Sequence, residues 1–78
     1  MKKLSIISEK TRVLILEIEV DKKEQERLYS LGVLPKKIIT VVRNPKNKSP
    51  LIIEIDESRF ALSKNITDNI TVTHLLEE

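Results

Sequence analysis

The side chains that could carry chemistry are few and scattered along the chain. His74 is the sole histidine of the 78 residues, and cysteine is absent. Transition-metal sites draw their ligands in sets of histidines, carboxylates or thiolates. We therefore interpret His74 as a partly exposed residue at the end of a strand. A metal site shared between two copies of His74 stays open, but one chain predicts no metal centre.

Two pairs of acidic residues, Glu17 with Glu19 and Glu54 with Asp56, are spaced to share a strand face. Such carboxylates could bind a hard cation or act as general acid and base. We favour the alternative of a solvated face paired with nearby lysines, because charged residues are mostly exposed. No nucleophile–base set accompanies these pairs, and one glycine cannot build a phosphate-binding loop. The sequence predicts neither an enzyme nor a bound cofactor.

Charge and aromatic content argue against nucleic acid as a partner. Fourteen basic and twelve acidic residues give a net charge of +2, with the signs interspersed. Tyr29 and Phe60 are too few to stack on single-stranded bases. One local basic patch could nevertheless meet phosphate, lipid headgroups or an acidic partner: Lys36, Lys37, Lys46 and Lys48. The alternative is a solvated loop with solubilising lysines at a sheet edge.

The length predicts a single domain over residues 1–78, with nearly every apolar side chain committed to folding. The N-terminus lacks the continuous apolar region and cleavage site of a secretory signal. No stretch approaches the roughly 18 apolar residues that a membrane span needs. We expect a cytoplasmic protein without direct membrane insertion, whose oligomeric state the sequence leaves open.

Short runs rich in β-branched residues predict strands. In the first run, Leu14, Leu16, Ile18 and Val20 form an apolar face opposite Glu17 and Glu19, which predicts that this apolar face meets the core. The five runs are Arg12–Val20, Lys37–Arg43, Leu51–Asp56, Arg59–Leu62 and Asn69–Leu75.

One helix is predicted between the first two runs, over Lys22–Leu31. Asp21 can cap its N-terminus, and Glu24 can reach back as in a capping box. Gly32 can close it in the left-handed conformation. A further helical turn is expected within residues 63–68. This order of elements predicts a mostly β fold, a small five-stranded SH3-like barrel with one short α-helix between the first two strands.

Three segments, in order, resemble the ferrous-iron-transport A (FeoA) family. The helix-to-strand segment reads Leu28-x-x-Leu31-Gly32-Val33-x-Pro35, followed by Ile38-x-Thr40-Val41. Later segments read Pro50-Leu51-Ile52-Ile53-Glu54, then Phe60-Ala61-Leu62 and Ile70-x-Val72. Where the family has small residues, this chain has Lys36 after the proline, Lys48 and Ser49 before Pro50, Thr67 in the closing motif and Lys10-Thr11 before the first strand.

The resemblance implies a small cytoplasmic accessory protein of ferrous iron uptake that acts on a FeoB-type membrane permease through its cytosolic GTPase domain.

The best candidate contact surface is the helix end and its loop, Tyr29, Val33, Leu34 and Pro35, since exposed apolar clusters often mark protein contacts. Alternatively these residues complete a small core. A nucleic-acid-binding barrel that uses the four lysines is the second hypothesis, and it predicts steeply salt-dependent affinity.

Overall fold

Six strands, two α-helices and one 3₁₀ helix make up the computed structural model over the residues it describes, 1–45 and 49–75. In chain order they are β1 (Lys2–Lys3), the 3₁₀ helix (Leu4–Ile6), β2 (Thr11–Ile18), α1 (Lys22–Ser30), β3 (Ile38–Arg43), β4 (Leu51–Ile55), β5 (Ser58–Leu62), α2 (Lys64–Thr67) and β6 (Ile70–His74). The mostly β fold is confirmed. The strand count is six rather than five because Lys2–Lys3 pairs with β6, so α1 lies between the second and third strands.

All the strand pairs are antiparallel, in the spatial order β1-β6-β2-β3-β4-β5. Consecutive strands from β2 to β5 are neighbours, while β6 returns to lie between β1 and β2. The sheet wraps around one core in an SH3-like arrangement, with β1 and β5 at its two edges. The core combines alternate strand residues with side chains from the 3₁₀ segment and α1: Leu4, Ile7, Val13, Ile15, Leu28, Val33, Ile39, Val41, Leu51, Ile53, Ile55, Leu62, Ile70 and Val72.

Strand β2 presents a different face to the core from the predicted one. Val13 and Ile15 are fully buried, whereas Leu14 and Leu16 are half-buried on the outward face. The pairing of β2 with β6 shifts register immediately after Ile15. Such a bulge adds one residue to a strand and exchanges its faces, so Ile18 returns to pack against the core. Strict alternation along the sequence cannot reveal that exchange.

Helix α1 begins as predicted but lacks half of its expected capping box. The Asp21 side chain accepts a hydrogen bond of 2.8 Å from the Glu24 backbone N–H. The Glu24 carboxylate pairs with Arg27, three residues along the helix, instead of reaching back. That hydrogen bond raises the pKa of Arg27. One cap contact thus satisfies a free N–H at the helix start, and the ion pair lies on the exposed face.

The C-terminus of α1 ends in a Schellman motif. Gly32 has a φ of +92°, and its N–H donates to the Tyr29 carbonyl at 3.0 Å. The Val33 N–H donates to the Leu28 carbonyl at 2.9 Å. These two bonds satisfy carbonyls that the helix leaves free at its end. The predicted role of Gly32 is confirmed, and the motif directs the chain from α1 toward β3.

Replacing Gly32 by alanine tests how far the fold depends on this reversal. An added Cβ would meet Ile55 Cγ2 at 3.9 Å, an ordinary contact, so space is not limiting. The backbone at φ +92° disfavours an L side chain, and we expect Gly32→Ala to lower the free energy of unfolding by about 1–2 kcal/mol. Urea denaturation measures the loss. Glu26→Ala, on the exposed side of α1, is the control, and equal stabilities of the two variants would contradict this account.

Candidate partner-binding surface

A tight turn over residues 34–37 follows the Schellman motif. The Lys37 N–H donates to the Leu34 carbonyl at 3.3 Å. Pro35 occupies the second position and Lys36 the third, where φ is +74°. A type II turn has this pattern and normally places glycine third. The turn is fixed to β2 by a 2.8 Å hydrogen bond from the Lys36 N–H to the Ile15 carbonyl.

The residues predicted to contact a partner differ in exposure. Tyr29 is 41% exposed, and its hydroxyl accepts a 2.9 Å hydrogen bond from Gln25. Leu34 and Pro35 are half-buried. Val33 is fully buried in the core, which corrects its inclusion in the predicted surface. The residue at this position of a Schellman motif frequently makes an apolar contact with the last turn of the helix, and Leu28 in that turn is also fully buried.

Ile38 was missed by the sequence analysis and extends the apolar surface. It directly follows the turn, is 44% exposed, and pairs across the sheet with half-buried Leu14. The adjacent pair Ile38-Ile39 carried the signal, since successive residues of a strand point to opposite faces. Ile39 takes the core side. We refer to these residues as the contact surface: Leu14, Tyr29, Leu34, Pro35 and Ile38.

Ion pairs border this surface and account for the acidic pair Glu54 and Asp56. The Lys37 ammonium lies 3.2 Å from the Asp56 carboxylate. The Arg59 guanidinium lies 3.2 Å from the Glu54 carboxylate. Each carboxylate therefore has its own cation. The predicted shared strand face is wrong, because β4 ends at Ile55 and Asp56 lies in the turn that follows it. The first pair also links the turn after α1 to the turn between β4 and β5.

The predicted basic patch is described only in part. Lys36 and Lys37 precede β3, whereas Asn44 and Pro45 follow its other end. A six-residue strand is about 20 Å long, so these described segments lie at opposite ends of β3. Lys46 and Lys48 lie outside the described residues, and the four-lysine patch stays a prediction. Of the two described lysines, Lys37 has an acidic neighbour in Asp56.

His74 is exposed at the end of β6, opposite Val13 of β2. Within residues 1–45 and 49–75, no three histidine, aspartate or glutamate side chains lie close enough together to hold a metal ion. In the same part of the chain, no helix is long and apolar enough to cross a membrane.

A separate groove of about 660 Å³ lies between the N-terminal segment, Asn44, Pro45 and Lys64. Two polar side chains of the groove connect separate segments of the chain. The Asn44 amide nitrogen donates to the carbonyls of Ser5 at 3.1 Å and Ile7 at 2.7 Å, and so holds the N-terminal segment in place. The Lys64 ammonium donates to the Pro45 carbonyl at 2.6 Å, which joins α2 to the residues after β3. No sequence motif predicted either contact.

The fold and the contact surface define a small SH3-like antiparallel β-module with an apolar turn at its surface. The family model described as FeoA domain matches residues 2–74. The chain therefore belongs to the FeoA domain family, which confirms the resemblance found in the sequence.

Solved structures share this fold. An iron uptake regulatory protein, FeoA, superposes with a TM-score of 0.86 at 24% identity, over 95% of this chain and 97% of its own. The FeoA protein from Chlorobium tepidum gives 0.88 at 21% identity, over 99% and 73%. A manganese-dependent transcriptional repressor gives 0.86 at 16% identity, over 95% of this chain but 41% of its own. The comparison with curated protein sequences finds no match.

The turn after α1 predicts a stabilising substitution. Lys36 holds a φ of +74°, which costs a non-glycine residue about 1–2 kcal/mol, while glycine adds less than 1 kcal/mol of unfolded-state entropy. We expect Lys36→Gly to raise the free energy of unfolding by about 0.5–1 kcal/mol. The neighbouring Lys37→Gly should lower it, because Lys37 lacks a positive φ and pairs with Asp56. Urea denaturation of both variants checks the contrast, and a destabilised Lys36→Gly would contradict it.

Proposed function

We propose that this FeoA-domain protein is a non-catalytic accessory of ferrous iron transport that acts in the cytoplasm on a FeoB-type permease. The part of the permease that it binds would be the cytosolic GTPase domain. Membership of the FeoA domain family supports the transport role. The observation that carries the docking role is the 44% exposure of Ile38 in a cross-strand pair with Leu14, beside the turn after α1.

The contact surface suits a protein partner because its side chains are apolar and its backbone is held in place. Leu14 and Ile38 form a cross-strand pair, so their backbones are held by the sheet. The turn beside them is fixed by the hydrogen bond from Lys36 to Ile15. Little ordering entropy is then lost when a partner covers these side chains. Charged residues around the surface, such as Lys37, would form the polar rim of such an interface.

Titration of methyl-labelled protein with the isolated GTPase domain of a ferrous-iron permease tests the proposal. Methyl resonances of Leu14, Leu34 and Ile38 should shift together and saturate. Those of Ile6, which is 65% exposed in the N-terminal segment, should stay in place. Shifts confined to other surfaces would reject the contact surface, and no shifts at high partner concentration would reject the docking role.

A pair of isoleucine substitutions gives the matched test. Ile38→Glu places a charge in the middle of the proposed interface, where burial without a counter-ion is costly. We expect affinity for the GTPase domain to fall at least about tenfold. Ile6→Glu introduces the same charge at an exposed isoleucine away from the contact surface and should leave affinity unchanged. Equal effects of the two substitutions would show that net charge, and not this surface, governs binding.

A further inference from the structure

Strand β5 forms an edge of the sheet in the part of the chain that the structure describes. Among the described strands it pairs only with β4. Strand edges expose unpaired backbone N–H and C=O groups, which can recruit a strand from another chain. The other edge, β1, is only two residues long and consists of Lys2 and Lys3, a common form of edge protection. β5 has five residues and contains neither lysine nor proline.

The backbone groups of β5 that point away from the sheet follow from its register. A two-residue turn joins β4 to β5, so Ser58 belongs to a hydrogen-bonded pair. Bonded and non-bonded pairs alternate along an antiparallel ladder, and this one has no register shift. Phe60 and Leu62 therefore also bond to β4. Arg59 and Ala61 direct their N–H and C=O groups outward.

We propose that a second copy of this chain pairs with β5 in antiparallel register about a two-fold axis through Phe60. In this register Arg59 of one copy lies opposite Ala61 of the other. Both residues offer an outward N–H and an outward C=O, so each such pair exchanges both of its backbone hydrogen bonds. Phe60 faces its counterpart as a non-hydrogen-bonded pair, in which side chains approach most closely. The same strand supplies both halves of the interface.

Side-chain charge and size select this register and favour self-pairing. A shift that placed Arg59 opposite itself would confront two guanidinium groups, which destabilises a strand pair. The proposed register places the small side chain of Ala61 there instead. Arg59 also keeps Glu54 as its partner at 3.2 Å on the outward face of its own sheet. Phe60 is half-buried against the core, and its counterpart would cover the exposed remainder.

This dimer goes beyond the proposed docking function, because it uses the β5 edge and not the contact surface. A five-residue edge buries little area, so the dimer should be weak. Amide hydrogen exchange at low and high protein concentration tests it by residue. The amides of Arg59 and Ala61 should slow several-fold at high concentration, while those of Phe60 and Leu62 are protected at both. Exchange at Arg59 and Ala61 that ignores concentration would overturn the proposal.

Substitutions at Ala61, followed by sedimentation equilibrium, complete the test. Ala61→Pro removes an N–H that points outward, so the protein should fold but stay monomeric. Loss of folding would show that this N–H bonds to β4, and it would overturn the proposed register. Ala61→Arg opposes Arg59 of the other copy and should also abolish the dimer. Adding Arg59→Glu to Ala61→Arg should restore it through opposite charges. Glu26→Gln is the control on α1, because it changes the net charge by the same amount as Ala61→Arg, and it should dimerise normally. A dimer that survives Ala61→Pro would disprove pairing through β5.

Discussion

The constraint on which the rest of this structure depends is the need to reverse the chain sharply with a single glycine. Within the described residues, five positions adopt a positive φ: Lys10, Gly32, Lys36, Asp56 and Glu57. Four of them carry side chains that disfavour this region by about 1 kcal/mol or more each. Gly32 occupies the reversal that ends α1. The remaining turns keep the left-handed conformation because the strands that they join hold it.

The free-energy cost of positive φ at these turns must be offset by burial of apolar side chains in the core. A domain of this size has only a few kcal/mol of net stability, and each left-handed non-glycine residue reduces it. The hairpin between β4 and β5 illustrates the balance. Asp56 and Glu57 both have a positive φ, as a type I′ turn requires, although glycine would suit the second position better. Buried Leu51, Ile53 and Ile55 supply the opposing stabilisation along β4.

Much of the fold could be predicted because its signals are local. The Asp21 cap, the Gly32 stop and the alternation of β4 each depend on neighbours in sequence, and all three are present in the structure. The face of β2 could not be predicted, because the bulge after Ile15 arises from pairing with β6. Strand β1 is likewise created by its partner, since Lys2–Lys3 has no strand signal of its own.

The candidate site was predicted only in part, because some of its features are local in sequence and others depend on strand pairing. Pro35 marks its turn in the sequence, but the exposure of Ile38 depends on which face of β3 meets the core. With Val13 and Ile15 buried ahead of the bulge, Leu14 faces outward and pairs with Ile38. This cross-strand pair of an exposed and a half-buried apolar side chain supports the proposed contact surface.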